Sequence, residues 1–394
     1  MAWMIREDQL DPDQREFINV ESIKTGNIWV KGFAGSGKSV LLVHSLMNRL
    51  KNEPNATVVV LVFTLALKDM FETGINELKQ FYGITKNIPV KTYYDFVDRD
   101  SSNYDYIFCD EVQDLPSKVL FAMNNRSNRI IVAGDSNQSI YDTDPKWNET
   151  VVDPSQVGDI INARAFNLNT IHRLTRSIIA AVQKILPSMN IWGAKRDVTK
   201  QDVNIRLCEA SSETEEVKYI YQEAQKGANV GDSSVILLPT LNMITKFANH
   251  VLKANNKPEW SEKKNNWNRP DYGDLNRHFR NNGIKFQFIG SGYGSLSDAE
   301  INKEAILMTY HSSKGLDFDN VFLPFLNNSF HLHPSNAVTL FMVAMTRSRK
   351  NLYLTYFGYT HDLVDKFKGE CTEISISEIL NQRTTGRSTN NFDF

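Results

Sequence analysis

Short apolar runs, rich in β-branched residues, recur along the chain between stretches of helical character. Unbroken apolar runs of this length are typical of strands buried on both faces, and their alternation with helices indicates parallel sheets. The pattern therefore predicts an α/β fold. The runs that predict strands are residues 27–31, 57–63, 106–109, 129–133, 204–208, 234–238, 305–309, 320–324 and 351–356.

The predicted strands fall into two sets. A polar stretch at residues 141–165 and a helical segment at residues 173–186 separate them. A chain of 394 residues is long enough for two or three domains of roughly 150 residues each. We therefore expect two tandem parallel-sheet domains, at residues 1–165 and 166–381, followed by a polar, disordered tail at residues 382–394.

Composition and charge exclude several classes of protein. Apolar residues make up 41% of the chain and charged residues 23%, which is ordinary for a globular protein with a sizeable core. The net charge of −2 means that any polyanion site must be local. Three cysteines without a CxxC pair disfavour a disulfide framework and a zinc ribbon, and favour a reducing, cytoplasmic setting. The longest strongly apolar run, residues 58–63, is far shorter than the roughly 18 residues of a membrane helix, so we expect no membrane insertion.

A glycine-rich turn connects the first predicted strand to an apolar helix. Its sequence, GFAGSGKS at residues 32–39, has the GxxxxGKS spacing of a P-loop. In such a loop the backbone N–H groups face phosphates, the lysine neutralises the outer phosphates and the serine ligates Mg²⁺. The strand before and the helix after disfavour the alternative of a ligand-free turn. The residues expected to bind nucleotide here are Gly32, Ala34, Gly35, Ser36, Gly37, Lys38 and Ser39.

Two adjacent carboxylates follow the predicted strand at residues 106–109, in the sequence DEVQD. Ligands bind at the carboxyl ends of strands in open parallel sheets, where both side chains would lie. We expect Asp110, together with Ser39, to hold Mg²⁺ through its water shell. We expect Glu111 to take the proton from the water that attacks the γ-phosphate. A solvated acidic loop is the alternative, and the P-loop in the same domain disfavours it.

The next predicted strand leads into GDSNQSIY at residues 134–141. This order of P-loop, DEVQD and GDSNQSIY resembles the UvrD and Rep branch of superfamily 1 helicases. Other segments are similar to motifs of that family in the same order: LDPDQ at 10–14, VFT at 62–64, TYY at 92–94, NTIHR at 169–173, TYHSSKGLDF at 309–318 and VAMTRSR at 343–349. The resemblance spans residues 10–349 and implies a minimal helicase core, a P-loop NTPase of two tandem RecA-like domains.

The resemblance also implies roles for individual residues. For catalysis it implies a γ-phosphate sensor in the first domain and two arginine fingers from the second, in addition to the P-loop lysine and the general base. These catalytic residues are Gln138, Arg173, Arg347, Lys38 and Glu111. The additional residues implied for nucleotide binding are Gln14, His172, Gly315 and Asp317. The residues implied for binding a single strand are Phe63, Thr64, Thr92, Tyr93, Tyr141 and His311.

The sequence departs from the family at several positions. His172 replaces a tyrosine that stacks on adenine, and Asp317 stands where the family has a glutamate. After Tyr141 the family's Gly-Trp-Arg is absent, so one stacking aromatic and one phosphate-binding cation are missing. Only residues 94–109 lie between Thr92-Tyr93 and DEVQD. About twenty residues separate positions 283–286 from Thr309. Both large accessory domains of such helicases are therefore missing, and translocation is better supported than strong unwinding.

The resemblance implies an ATP- and Mg²⁺-dependent helicase or translocase that moves 3′ to 5′ on single-stranded nucleic acid, with DNA favoured over RNA. An ATPase switch that gates a protein partner such as a nuclease, without sustained translocation, is the alternative. The missing accessory domains and the slightly acidic net charge keep this alternative open.

One segment of the second domain has no counterpart in the family. Residues 253–282 precede an apolar stretch at 284–289 that predicts a strand, and they carry seven cations and four acids. Four aromatic residues are interleaved with these charges: Trp260, Trp267, Tyr272 and Phe279. The segment is either a base-stacking platform or docking surface, or a loop that its aromatics hold against the domain.

Overall fold

The computed structural model describes residues 3–135, 139–144, 146–172, 174–187, 195–196, 201–266, 268–327, 332 and 337–384. The chain divides into two compact units. Unit 1 contains Met1–Leu174 and Met189–Lys200, and unit 2 contains Thr175–Ser188 and Gln201–Phe394. The expected domain boundary after residue 165 lies inside a strand of unit 1, Ala163–Leu168, and the division between the units follows that strand.

Six strands in the described part of unit 1 form one sheet: β1 (Asn27–Gly32), β2 (Val58–Val62), β3 (Val90–Thr92), β4 (Tyr104–Cys109), β5 (Ser127–Gly134) and β6 (Ala163–Leu168). Their order is β3-β2-β4-β5-β1-β6, and every neighbouring pair is parallel. Apolar residues fill the central strands, and β2 is buried along its whole length. A short parallel pair, β7 (Thr170–Ile171) and β8 (Lys195–Arg196), belongs to the same unit.

The helices of unit 1 begin and end at residues suited to those positions. Thr64 caps the second long helix, because its side chain accepts the Leu67 N–H at 3.1 Å, and Gly83 ends that helix with a φ of 65°. The described helices are α1 (Pro12–Glu16), α2 (Lys38–Asn52), α3 (Leu65–Tyr82), α4 (Tyr93–Arg99), α5 (Ser117–Arg126) and α6 (Val157–Ile160).

Because all six strands are parallel, their carboxyl ends lie along one edge of the sheet. The P-loop follows β1, DEVQD follows β4 and Asp135 follows β5. Phe63 follows β2 and Tyr93 follows β3, so both lie along the same edge, and β2 and β3 are neighbouring strands. The chain passes from β3 to β4 through α4 alone, with no large insertion.

Seven strands in the described part of unit 2 form a second sheet: β9 (Asn204–Ala210), β10 (Ser234–Leu238), β11 (Phe286–Phe288), β12 (Ala305–Thr309), β13 (Phe318–Leu323), β14 (Ser348–Phe357) and β15 (Thr372–Ser375). Their order is β11-β12-β10-β13-β14-β9-β15, and each neighbouring pair is parallel. Each run that predicted a strand overlaps a strand of one of the two sheets. The predicted α/β fold with two parallel-sheet domains is confirmed.

Helices cover the second sheet as well. Those described are α7 (Arg176–Ile185), α8 (Glu213–Asn229), α9 (Leu241–Ala254), α10 (Tyr272–Asn281), α11 (Leu296–Ile301), α12 (Ala337–Met345), α13 (Asp362–Asp365) and α14 (Ile376–Thr384). Only α11 lies between β11 and β12, where an accessory domain was expected to be missing. The predicted tail at residues 382–394 begins within α14, and residues 385–394 lie outside the described residues.

The segment at residues 253–282 packs three of its aromatic side chains into the core of unit 2. Trp260, Tyr272 and Phe279 are all buried in one cluster with residues of the sheet. Trp260 Nε1 donates to Asp274 Oδ2 at 2.9 Å, and the Asn276 side chain pairs with both backbone groups of Phe288. The stacking-platform interpretation is therefore wrong for these three rings, while Trp267 lies outside the described residues.

None of the helices in the described ranges has both the length and the apolar character of a membrane span.

Candidate nucleotide site and nucleic-acid surface

Gln14 packs against the P-loop between β1 and α2. Gly37, just before α2, has a φ of 86°, and a Cβ at this position would lie 2.4 Å from Gln14 Nε2. The buried Gln14 amide donates to the Ser36 carbonyl oxygen at 3.1 Å. Glycine alone combines this backbone conformation with the space that the contact requires. The residue predicted to read the base is thus fixed beside the loop predicted to bind the phosphates.

Lys38 and Ser36 both point back into the turn. Lys38 Nζ donates to the carbonyl oxygens of Gly32 and Phe33, at 2.9 and 3.0 Å. Ser36 Oγ is buried and has no hydrogen-bond partner among the described residues. An unpaired buried hydroxyl beside a buried ammonium group fits a loop that binds an anion. The two remaining predicted ligands, Ala34 and Gly35, lie in the same turn.

Asp110, at the carboxyl end of β4, contacts the last residue of the P-loop. Ser39 Oγ donates to Asp110 Oδ2 at 2.6 Å. Burial, together with the charge of Glu111, raises the pKa of the Asp110 carboxyl to about 7, although Ser39 and Lys38 oppose the shift. A divalent cation would favour the ionised carboxylate and takes oxygen ligands of this kind. The structure thus brings the two predicted Mg²⁺ ligands together.

Glu111 has a strained backbone, and its carboxylate is held by a residue that the sequence did not single out. Its φ is 55°, in the left-handed region, and its N–H donates to Asp110 Oδ1 at 3.0 Å. The Gln113 amide Nε2 donates to Glu111 Oε2, and Gln113 Oε1 accepts the Asp135 N–H at 3.0 Å. The only signal in the sequence was that Gln113 lies within DEVQD.

His172 also lies beside the P-loop. Its backbone N–H donates to the Gly35 carbonyl oxygen at 2.9 Å, and its Nε2 is 2.6 Å from Asp11 Oδ2. The other oxygen of Asp11 accepts the Gln14 N–H at 2.7 Å. His172 was assigned to the second domain from its sequence, but it belongs to unit 1. Asp11, which connects both base-contacting candidates, was not predicted.

The predicted site residues of unit 2 lie on the loop after β12 and the turn after α12. Gly315 has a φ of 80°, and Asp317 directly precedes β13. Arg347 is only 1% exposed, and its guanidinium donates to the Val343 and Leu316 carbonyl oxygens, at 2.8 and 3.0 Å, and to Thr346 Oγ1. Burial and the charge of Lys314 lower the pKa of His311. Two predicted catalytic residues, Gln138 and Arg173, lie outside the described residues.

Three of the predicted nucleic-acid contacts pack together in unit 1. The Phe63 ring stacks on Tyr141, with centroids 5.1 Å apart, and contacts Tyr93 at 5.3 Å. The hydroxyl oxygens of the two predicted threonines also cap helices, since Thr64 accepts the Leu67 N–H at the start of α3 and Thr92 accepts the Asp95 N–H at the start of α4. Of the three rings, Phe63 and Tyr93 are buried, whereas Tyr141 is partly exposed.

Tyr94 and Trp147 extend these rings into a group of five, termed the aromatic cluster: Phe63, Tyr93, Tyr94, Tyr141 and Trp147. Trp147 meets Tyr94 edge-on at 4.9 Å. Buried Asp144 accepts both tyrosine hydroxyls, at 2.6 Å from Tyr93 and 3.0 Å from Tyr94. Its other oxygen accepts the backbone N–H of Trp147 at 2.7 Å. No sequence motif predicted Asp144, which lies where the family's Gly-Trp-Arg is absent.

Two family models match this chain. Residues 14–144 match an AAA domain, which contains the P-loop and DEVQD. Residues 281–359 match the UvrD-like helicase C-terminal domain, which contains Gly315, Asp317 and Arg347. No curated protein matches the sequence significantly.

Solved structures with similarity to this chain include two viral helicases. The PRRSV helicase is 14% identical, with a TM-score of 0.41, over 84% of this chain and 52% of that chain. The Arterivirus nonstructural protein 10 helicase is 16% identical, with a TM-score of 0.39, over 88% of this chain and 62% of that chain. This chain therefore spans less than two thirds of either viral protein's length.

The two family models occur in the order that the sequence motifs predicted, and together they cover more than half of the residues. The first match falls within unit 1 and the second within unit 2. These matches indicate a UvrD-like helicase of superfamily 1.

Proposed function

We propose that the protein is an ATP-hydrolysing motor that moves along single-stranded nucleic acid. The observation that carries this proposal is the hydrogen bond between Ser39 of the P-loop and buried Asp110, with Glu111 next to it in the chain. A P-loop ATPase binds its metal ion with a serine hydroxyl and a carboxylate that lie next to each other, as Ser39 and Asp110 do. The family-model matches support the same activity.

Each residue of the nucleotide site has a distinct task in this proposal. Lys38 neutralises the outer phosphates, and Glu111 accepts the proton of the attacking water. Ser39 and Asp110 would hold Mg²⁺, which when bound offsets the charge of the phosphates. Gln14 and His172 contact the base. Gln138, Arg173 and Arg347 act on the γ-phosphate, and Arg347 must exchange its present hydrogen bonds for phosphate oxygens to do so.

The proposed contacts for the bases of the single strand are the partly exposed rings of the aromatic cluster, Tyr94, Tyr141 and Trp147. Buried Phe63 and Tyr93 pack behind them. The aromatic cluster follows β2 and β3, so it shares one sheet edge with the P-loop and the carboxylates. Stacking of a base on an aromatic ring is worth about 1–3 kcal/mol and does not depend on base identity. By resemblance to the family, DNA is favoured over RNA, and movement is 3′ to 5′.

The ATPase proposal is tested with Glu111→Gln. This variant should bind ATP as tightly as the wild type but hydrolyse it at a small fraction of the wild-type rate, because only the base is removed. Glu304→Gln is the matched control, since buried Glu304 also accepts a glutamine amide and lies in unit 2 outside the proposed site. Substantial hydrolysis by Glu111→Gln would contradict the assignment.

Direction and substrate are tested by displacement of streptavidin from biotin placed at either end of a single strand. A 3′-to-5′ motor should remove streptavidin from the 5′ end of a DNA strand only, and less effectively from RNA. ATP hydrolysis without displacement from either end would favour the partner-gated switch. Tyr141→Ala should weaken strand binding, because it removes a partly exposed ring of the aromatic cluster, whereas Phe81→Ala, with a 68% exposed ring at the far end of α3, should not.

A further inference from the structure

Gln113 occupies the centre of the turn between the carboxylates and the end of β5. Its side chain is fully buried, and both ends of its amide are used. Nε2 donates to the Glu111 carboxylate, while Oε1 accepts the Asp135 N–H at 3.0 Å. A single amide therefore connects the proposed general base to the first residue after β5.

The backbone at Glu111 explains why such a contact matters. A φ of 55° is unfavourable for a glutamate and persists only where surrounding contacts fix it. A general base must lie within hydrogen-bond reach of the water whose proton it takes. Without the Gln113 donor, the Glu111 side chain could leave that position, and a misplacement of about 1 Å can cost on the order of 100-fold in rate.

Gly134 leaves the space that the Gln113 amide needs. A Cβ at position 134 would lie 2.4 Å from Gln113 Oε1 and 3.0 Å from Val112 Cγ1. The end of β5 is therefore shaped around this amide. Any side chain at position 134 would displace the amide from Asp135, from Glu111, or from both.

We propose that Gln113 is a positioning residue for ATP hydrolysis, which holds the Glu111 carboxylate and couples its position to the end of β5. The inference rests on the proposed function, because it assigns to Gln113 a task in the same ATPase site. The contacts of the Gln113 amide are with Glu111 and Asp135. It acts through Glu111.

The second unit contains a matched arrangement. Gln287 is 3% exposed, its Nε2 donates to Glu304 Oε2 at 3.0 Å, and its Oε1 accepts the Ser295 N–H at 2.8 Å. The chemistry is the same as at Gln113, but Glu304 has no proposed role in hydrolysis. Gln287→Glu therefore measures the structural cost of placing two carboxylates side by side.

The experiment compares Gln113→Glu with Gln287→Glu. For Gln113→Glu we expect kcat for ATP to fall by about 10- to 100-fold, while the KM for ATP stays within about twofold, because the substitution disturbs the base rather than the phosphate-binding residues. Gln287→Glu should lower Tm to a similar extent and leave kcat unchanged. In the Glu111→Gln background, Gln113→Glu should have no further effect on the residual rate, since the group that it positions is already absent.

A wild-type kcat in Gln113→Glu, or an equal loss of kcat in both variants, would overturn the inference. If Gln113→Glu does not fold, Gly134→Ala replaces it as the test variant, because the added Cβ displaces the same amide while Gln113 is kept. A wild-type kcat in Gly134→Ala would also overturn the inference. Absence of ATP hydrolysis by the wild-type protein would instead overturn the proposed function.

Discussion

Asp110 and Glu111 are adjacent in the sequence, yet the structure surrounds them differently. Asp110 accepts the Ser39 hydroxyl, so it faces the P-loop. Glu111 accepts the Gln113 amide, on a backbone that turns into the left-handed region. The two carboxylates reach different partners, and this difference is a physical basis for the separate roles expected of them.

The DEVQD and P-loop residues could be predicted because the relevant contacts follow from short motifs. Asp11 and Asp144 could not, since each acts through partners far away in the chain. Asp11 is 161 residues from His172, and Asp144 is 51 residues from Tyr93. The local sequence marks Asp11 as an N-cap before Pro12, and Asp144 also accepts the Trp147 backbone N–H, but nothing local to either aspartate predicts its distant partner.

Gly37→Ala should impair nucleotide binding beyond its effect on stability. The backbone at Gly37 costs an alanine about 1–2 kcal/mol, and the added Cβ also meets Gln14 Nε2 at 2.4 Å. Gly83→Ala is the matched control, because Gly83 also has a positive φ but has nothing within 4 Å of its Cβ position. Both variants should lose similar stability in urea denaturation. Equal ATP affinity of the two variants in fluorescence titrations would show that the contact between Gly37 and Gln14 does not matter.

Among the elements, those that the apolar pattern missed lie at sheet edges. β3 and β6 are the two edges of the first sheet, and β15 is one edge of the second. An edge strand has a neighbour on one side only and is often short or partly exposed, so it lacks the unbroken apolar run of a central strand. β6 shows this directly, since only Leu168 among its six residues is buried.

The segment at residues 253–282 shows where composition alone is insufficient. Cations and aromatics alternate in the sequence, but the structure separates them. The rings of Trp260, Tyr272 and Phe279 are buried, while Lys257 and Arg280 are exposed. A short linker in place of residues 255–281 would remove part of the core of unit 2, so we expect that deletion to unfold the unit.

Phe279→Ala should reduce the free energy of unfolding of unit 2 by about 3–5 kcal/mol, because it leaves a cavity in the core. Tyr359→Ala removes an 82% exposed ring from the same unit and should change that free energy by no more than about 0.5 kcal/mol. Urea denaturation measures both values. If Phe279→Ala is as stable as Tyr359→Ala, the ring does not contribute to the core.

At the scale of the whole molecule, unit 2 must contribute to hydrolysis if the protein is a motor. Arg347→Ala should lower kcat by about 1000-fold by analogy with other arginine fingers, and should abolish stimulation by a single strand without preventing strand binding. Arg206→Ala is the control for lost stability, since Arg206 is also a buried arginine of unit 2 and donates to Asn351 Oδ1 at 2.6 Å. A similar loss of kcat in both variants would indicate that Arg347 is only structural.

In the proposed motor, hydrolysis at the P-loop is coupled to a single strand bound on the aromatic cluster. The most direct test is the steady-state ATPase rate of the wild-type protein as single-stranded DNA is added, at low and at high salt. We expect the rate to rise with DNA and the half-saturating DNA concentration to increase steeply with salt, because phosphate contacts release counterions. An ATPase rate that does not respond to any polynucleotide would contradict this coupling and favour a switch controlled by a protein partner.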